Sequence, residues 1–116
     1  MVVHRGDLWW AALSSPRKSE PGFRRPVLVV QADEFNRSRI STLVVVALSS
    51  NTALADAPGN VLVPKGLAKL GKDSVINVSQ LITLDRAFLV ERVGRLPVDL
   101  LTRVDAGLRL VLHLER

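Results

Sequence analysis

The chain has 116 residues, no cysteine and a formal net charge of +5 at pH 7. This length suits one domain, residues 1–116, that folds without disulfides, and the lack of cysteine excludes zinc–thiolate sites and a cysteine nucleophile. No charged segment followed by an apolar run opens the chain, and no stretch approaches the ~20 apolar residues that span a bilayer. We therefore expect a cytoplasmic protein that does not contact the membrane and that has an anionic partner.

Most of the positive charge lies in the first part of the chain. Residues 1–72 hold ten Lys and Arg against five Asp and Glu, whereas residues 73–116 hold six against six. The basic residues that flank the first predicted strands are Arg17, Lys18, Arg24, Arg25, Arg37 and Arg39. Loops that bring them together would form one basic patch for a nucleic acid, although scattered charges that only keep the protein soluble explain the composition equally well.

Five segments rich in aliphatic or aromatic residues predict β-strands. In chain order they are Leu8–Leu13, Pro26–Gln31, Thr42–Leu48, Asn60–Val63 and Ser74–Leu84. The intervening segments contain the Pro, Gly, Ser and Asp residues that form turns. Short strands separated by such turns predict a small β-barrel.

The last segment has a helical period instead. Leu101, Val104, Leu108 and Val111 are spaced three and four residues apart, which predicts an amphipathic helix whose first turn contains Pro97. A glycine in the interior of this helix, at position 107, is expected to cost about 1 kcal/mol. The fold class expected is mainly β with a C-terminal helix.

Two adjacent arginines precede the second predicted strand. Gly22 allows the backbone to turn, and Pro26 favours an extended Arg25 ahead of the apolar run 27–30. A loop thus brings Arg24 and Arg25 to the start of a rigid strand, where guanidinium groups are able to bind phosphate bidentately. Taken alone, such a doublet is more often a pair of solvated charges.

Several segments together resemble the MazF/PemK family of toxin endoribonucleases. The likeness is carried by residues 5–10, 20–31, 33–37, 43–51, 72–81 and 83–85, which cover almost the whole chain in the family's order and spacing. The resemblance implies an SH3-like β-barrel shared with the CcdB-like plasmid-maintenance toxins. It also implies a homodimer and a cognate MazE-like antitoxin that binds across the dimer and covers the RNA groove.

The activity that this resemblance implies is sequence-selective cleavage of single-stranded RNA without a metal or a cofactor. The 2′-hydroxyl attacks the neighbouring phosphorus and leaves a 2′,3′-cyclic phosphate and a 5′-hydroxyl, so the protein needs only to align the backbone, move protons and stabilise charge. Metal ligands are also scarce in the sequence. His4 and His113 lie at opposite ends of the chain, and Asp33 and Glu34 alternate in direction on an extended backbone.

Three residues match the family's catalytic positions. Arg25 matches the catalytic arginine, and because a guanidinium stays protonated, charge stabilisation is a firmer role for it than proton transfer. Ser49 stands in the place of a strand-end threonine, where its hydroxyl would hydrogen-bond a phosphate oxygen. Glu20 matches a loop acid that assists proton transfer or positions the RNA, with an exposed carboxylate paired to an arginine as the alternative.

Further residues are expected to contact the RNA: Ser19, Phe23, Arg24, Asn36, Ser50, Asn51 and Gln80. Phe23 would either stack on an unpaired base or pack inward and close the loop. Asn36 and Gln80 have structural hydrogen bonding as their alternative role. Lys18, Pro21 and Ile82 depart from the family's usual residues, which leaves the base contacts of this chain open.

Two other functions fit the same fold. A CcdB-like toxin binds and poisons DNA gyrase without catalysis, and a non-specific RNA-binding module binds without cleaving. The combination of Arg25 with Ser49 favours the ribonuclease, because a gyrase poison has no use for a phosphate-facing arginine beside a strand-end hydroxyl.

Overall fold

Within the part of the chain that the structure describes, six strands form one antiparallel sheet in the order β4-β5-β3-β2-β1-β6. The computed structural model describes residues 2–14 and 23–114, with only the backbone of Ser14 and Phe23. The strands are β1 Asp7–Ser14, β2 Phe23–Val29, β3 Thr42–Ser49, β4 Val61–Val63, β5 Ser74–Asp85 and β6 Leu89–Arg95. The helices are α1 Asp33–Asn36, α2 Lys65–Ala68 and α3 Val98–Leu112, with 3₁₀ turns at Thr52–Asp56 and Arg86–Phe88.

The mainly β class with a C-terminal helix is confirmed, and the sheet curls into a half-barrel whose two edges are β4 and β6. The five predicted strands are present. The sequence did not predict β6, because five of its seven residues, among them Glu91, Arg92 and Arg95, are charged, small or exposed. An edge strand pairs on one side only and needs no continuous apolar pattern.

Both faces of the sheet are buried. In β2, Leu28 packs on one face with Leu8 and Val46, whereas Val27 and Val29 pack on the other with the Trp9 ring. Successive strand residues point to opposite faces, so a strand buried on both sides needs an uninterrupted apolar run. This explains why β2 and β3 show no polar alternation.

Helix α3 covers the first of these faces. Leu100 and Val104, which are 6 % and 0 % exposed, pack in the same core as Leu28. Among the described residues, no helix is long and apolar enough to cross a membrane.

The interior glycine of α3 lies against a turn. A Cβ built on Gly107 would stand 2.2 Å from the Gly59 carbonyl oxygen and 3.1 Å from a methyl of Val78. Gly59 itself has φ +84°, and its own Cβ would stand 3.0 Å from the Gly107 Cα. Only two glycines allow this close approach, which explains why α3 contains Gly107 in spite of its conformational cost.

The N-terminal segment connects the far end of β2 to α1 and α3. Arg5 donates from Nη2 to Asp105 Oδ1 at 2.6 Å and from Nε to the Val30 carbonyl at 2.8 Å. Its backbone N–H donates to Asp33 Oδ1 at 2.7 Å. The fully buried Asp7 accepts from the backbone of His4 and from Arg92 Nη2 at 3.2 Å. Arg5 and Asp7 thus both have structural roles.

Asp33 should make stability depend on pH below about 4. Its pKa lies below the ordinary 3.8, chiefly because the carboxylate accepts the Arg5 backbone N–H, with a further hydrogen bond from Asn36. A lowered folded-state pKa means that the stabilisation is complete above the unfolded value and is lost as the pH falls through the folded value. We expect Asp33→Asn to cost about 1 kcal/mol at pH 7 and less at pH 2, where protonation of Asp33 weakens the same hydrogen bonds. Urea unfolding at both pH values measures this, and an equal loss at both would contradict it.

Candidate active site

A cavity of about 350 Å³ opens where β2 begins, β3 ends and β5 begins. Its lining residues are Trp10, Arg24, Arg25, Pro26, Leu48, Ser49, Ser50, Leu70, Lys72 and Ser74. Three of them are cations, three carry hydroxyls, and the described lining contains no carboxylate. This composition favours an anionic ligand with hydrogen-bond acceptors.

The arginines are held by strand pairing. Arg25 faces Ala11 of β1, and Arg24 faces Ala12, just before the register shifts between Ala12 and Ser14. Arg25 is half-buried, whereas Arg24 is exposed at the mouth of the cavity. Because Arg25 lies on a strand paired within the sheet, its Cα and Cβ are held in place. The guanidinium can therefore occupy only a limited region of the cavity.

The hydroxyl of Ser49 is oriented by the next turn. Ser49 is the last residue of β3, and its Oγ accepts the Asn51 backbone N–H at 3.1 Å. This bond holds the Oγ in place and uses it as an acceptor, so that its O–H can donate to a phosphate oxygen. Asn51 Oδ1 accepts the Ala53 backbone N–H at 3.2 Å and caps the 3₁₀ turn. Asn51 does not line the cavity, but its backbone N–H supports Ser49.

The floor and wall of the cavity are apolar. Leu48 and Leu70 are buried in the core below, and the half-buried Trp10 forms a wall. The adjacent Trp9 points to the other face, where its Nε1 is buried without a hydrogen-bond acceptor among the described residues. The two tryptophans thus divide between core and cavity, as alternation along a strand requires.

Asn36 lies far from this cavity. It follows the opposite end of β2, where its buried side chain exchanges hydrogen bonds with Gln31 at 2.9 and 3.0 Å. This geometry supports its structural role. Arg37 and Arg39 lie at the same end, so they do not join Arg24 and Arg25 in one basic patch, and for these two residues the alternative of scattered charges applies.

Gln80 is exposed on an irregular part of β5. Val46 of β3 faces Leu81, but Leu48 faces Ile76, so residues 77–80 form a bulge. Bulges redirect side chains next to functional sites. Gln80 lies on this bulge and not in the cavity lining.

Other expected site residues lie outside the described part of the chain. They are Ser19, Glu20 and the side chain of Phe23, together with the basic residues Arg17 and Lys18. Within residues 2–14 and 23–114, no three His, Asp or Glu side chains come together in a way that would hold a metal ion.

Sequence reasoning did not name Lys72 as a functional residue. It lies in the turn between α2 and β5 and lines the cavity opposite the arginines. The sequence marks it only as a lysine next to a glycine, and the fold alone brings it into the cavity that Arg25 also lines.

A half-barrel whose cavity combines arginines with serine hydroxyls defines a protein suited to bind the phosphates of a nucleic acid. Residues 4–112 match the family described as the PemK-like, MazF-like toxin of type II toxin–antitoxin systems. The chain belongs to this family.

Comparisons with individual proteins support the same family. The chain is 47 % identical over 114 residues to Endoribonuclease MazF6 of Mycobacterium tuberculosis and to Endoribonuclease MazF2 of Mycobacterium bovis, covering 98 % of this chain and 100 % of each relative. The crystal structure of MazF from Deinococcus radiodurans superimposes with a TM-score of 0.75 at 26 % identity, covering 97 % of this chain and 98 % of that one.

Proposed function

We propose that this endoribonuclease toxin cleaves single-stranded RNA in the cavity that holds Arg25 and Ser49. The observation that carries this proposal is that both residues line one cavity although 24 residues separate them in the chain. A guanidinium and a hydroxyl on adjacent strands supply donors to the two non-bridging oxygens of a phosphodiester.

The reaction follows from the chemistry of RNA. The 2′-hydroxyl gives up its proton and attacks the adjacent phosphorus, and the 5′-oxygen leaves and takes a proton, which yields a 2′,3′-cyclic phosphate and a 5′-hydroxyl. Arg25 stabilises the charge that develops on the phosphorane, and the Ser49 O–H donates to a non-bridging oxygen. Glu20, in the loop outside the described residues, is proposed to accept a proton or to position the RNA.

Metal-independent cleavage is part of this proposal. Its support is the donor set of the described lining, which offers cations and hydroxyls and, among the residues that the structure describes, no carboxylate to coordinate a divalent ion. Arg24 and Ser50, at the mouth of the same cavity, are proposed to contact the RNA on either side of the scissile linkage.

The proposed assembly and location follow from the family. The chain acts as a homodimer in the cytoplasm, where a MazE-like antitoxin binds it and blocks the RNA site. A cationic cavity gives an acidic segment of such an antitoxin an electrostatic reason to bind there.

The test is incubation of the purified protein with a long single-stranded RNA in EDTA, followed by mapping of the new ends. We expect discrete cuts that leave 5′-hydroxyls. Intact RNA across varied sequences would contradict the ribonuclease and favour a gyrase poison, which a DNA supercoiling assay would detect.

Ser49→Ala should lower the cleavage rate by about 10- to 100-fold, because one donor to the phosphate oxygen is removed. The matched control is Ser41→Ala, which removes an exposed hydroxyl at the opposite end of β3. Single-turnover kinetics with the same RNA measure both variants. Equal rates for Ser49→Ala and the wild type would remove Ser49 from the site.

A further inference from the structure

We infer that Lys72 binds a second phosphate of the RNA, next to the one that is cleaved. This inference rests on the proposed ribonuclease function and assigns a second anion position within the same cavity. With Lys72 in this role, an RNA with two consecutive phosphodiester linkages binds more tightly than a dinucleotide with one.

The backbone that carries Lys72 is held in place on both sides. Before it, Leu70 is 7 % exposed and Gly71 adopts φ +86°, a conformation that glycine adopts without strain. After it, Asp73 Oδ1 accepts the Lys65 backbone N–H at 2.9 Å, and Ser74 is 3 % exposed. The turn therefore presents Lys72 to the cavity from a fixed backbone and not from a loose loop.

The order of the strands separates Lys72 from the arginines. Strand β3 lies between β2, which carries Arg25, and β5, which follows the Lys72 turn. Strands β2 and β5 are thus about two interstrand spacings, or roughly 10 Å, apart, with Ser49 on the strand between them, and Lys72 lies two residues before β5 begins. Consecutive phosphates of one RNA strand match this arrangement better than a single phosphate reached from both sides.

The charges support the same conclusion. A phosphodiester carries one negative charge, for which Arg25 and the Ser49 hydroxyl suffice. The described lining nevertheless adds Arg24 and Lys72 without any carboxylate. As a compact ammonium on a flexible stem, Lys72 suits a phosphate held mainly by charge, whereas the planar guanidinium suits the linkage that must be aligned for reaction.

Binding of a non-cleavable strand tests the inference independently of catalysis. The probe is a short, mixed-sequence RNA that is 2′-O-methylated throughout, and its dissociation constant is measured across a range of salt concentrations. We expect Lys72→Ala to weaken binding by about 3- to 10-fold at physiological salt and to reduce the slope of log K against log salt by about 0.7. Lys72→Arg should retain most of the slope.

Lys65→Ala is the matched control, because it removes an exposed lysine of the neighbouring α2 that does not line the cavity. It should leave both the affinity and the slope within error of the wild type. A slope for Lys72→Ala equal to that of the wild type would overturn the inference.

Cleavage kinetics distinguish the second phosphate from the scissile one. With a substrate of two or more linkages, Lys72→Ala should raise KM by about 3- to 10-fold and leave kcat within 2-fold, whereas a dinucleotide should show no difference. A fall in kcat at constant KM would place Lys72 on the scissile phosphate and overturn the inference. If the wild type binds the methylated strand but never cleaves RNA, the ribonuclease proposal fails while the binding result still decides the role of Lys72.

Discussion

Replacement of Arg25 by alanine should reduce RNA cleavage by about 10²- to 10³-fold, the loss typical of a missing donor to a developing oxyanion. The guanidinium is the proposed source of positive charge at the scissile phosphate. Arg25→Lys should restore only part of the rate, since an ammonium keeps the charge but loses the bidentate geometry. The measurement is the single-turnover rate in EDTA, compared with the wild type.

Arg39→Ala is the control for this prediction. This variant removes an exposed residue of the same charge at the opposite end of β2 and β3, and it should cleave like the wild type. Urea unfolding of each variant separates loss of chemistry from loss of fold, because Arg25 also belongs to a paired strand. Full activity in Arg25→Ala would show that cleavage does not take place in this cavity.

Replacement of Gly107 by alanine should destabilise the protein by about 2–3 kcal/mol, although alanine is the better helix former by about 1 kcal/mol. The added methyl would stand 2.2 Å from the Gly59 carbonyl oxygen, so helix α3 and the turn at Gly59 must separate. For a domain of this size such a loss lowers Tm by roughly 10 °C. Urea and thermal unfolding at one fixed protein concentration measure the change.

Gly66→Ala provides the comparison. Gly66 lies in the short helix α2, and a Cβ built there meets no atom within 4 Å. It should leave stability unchanged or raise it by about 0.5 kcal/mol. If Gly107→Ala behaved in the same way, the close packing of α3 on the turn would not contribute to stability.

The local patterns of the chain predicted most of the elements. The apolar runs of β2 and β3 and the three-and-four spacing of α3 indicate burial directly, because each pattern matches the period of its element. The apolar pattern does not predict β6, because only one residue of this strand, Leu89, is buried. What identifies it as a strand is its pairing with β1, in which Trp10 faces Glu91.

The candidate site was predicted in part. Arg25 and Ser49 were expected together from the family resemblance, and both line the cavity. Lys72 was not selected because a lysine in a turn has no distinguishing local signal. For Asn36 the sequence allows either an RNA contact or structural hydrogen bonding, and its bonds to Gln31 at the other end of β2 support the second role.

By itself, the sequence determined the secondary structure elements that bury a continuous face, the excess of positive charge in the first part and the family membership. These properties depend on residue type and on the local period of apolar residues, and neither depends on tertiary contacts. The tertiary structure alone decided which basic residues meet, since Lys72 lies 47 residues after Arg25 and reaches the same cavity only through the strand order β5-β3-β2. It also decided why position 107 is a glycine. Helix α3 approaches Gly59 closely there, and no local pattern in either segment indicates that contact.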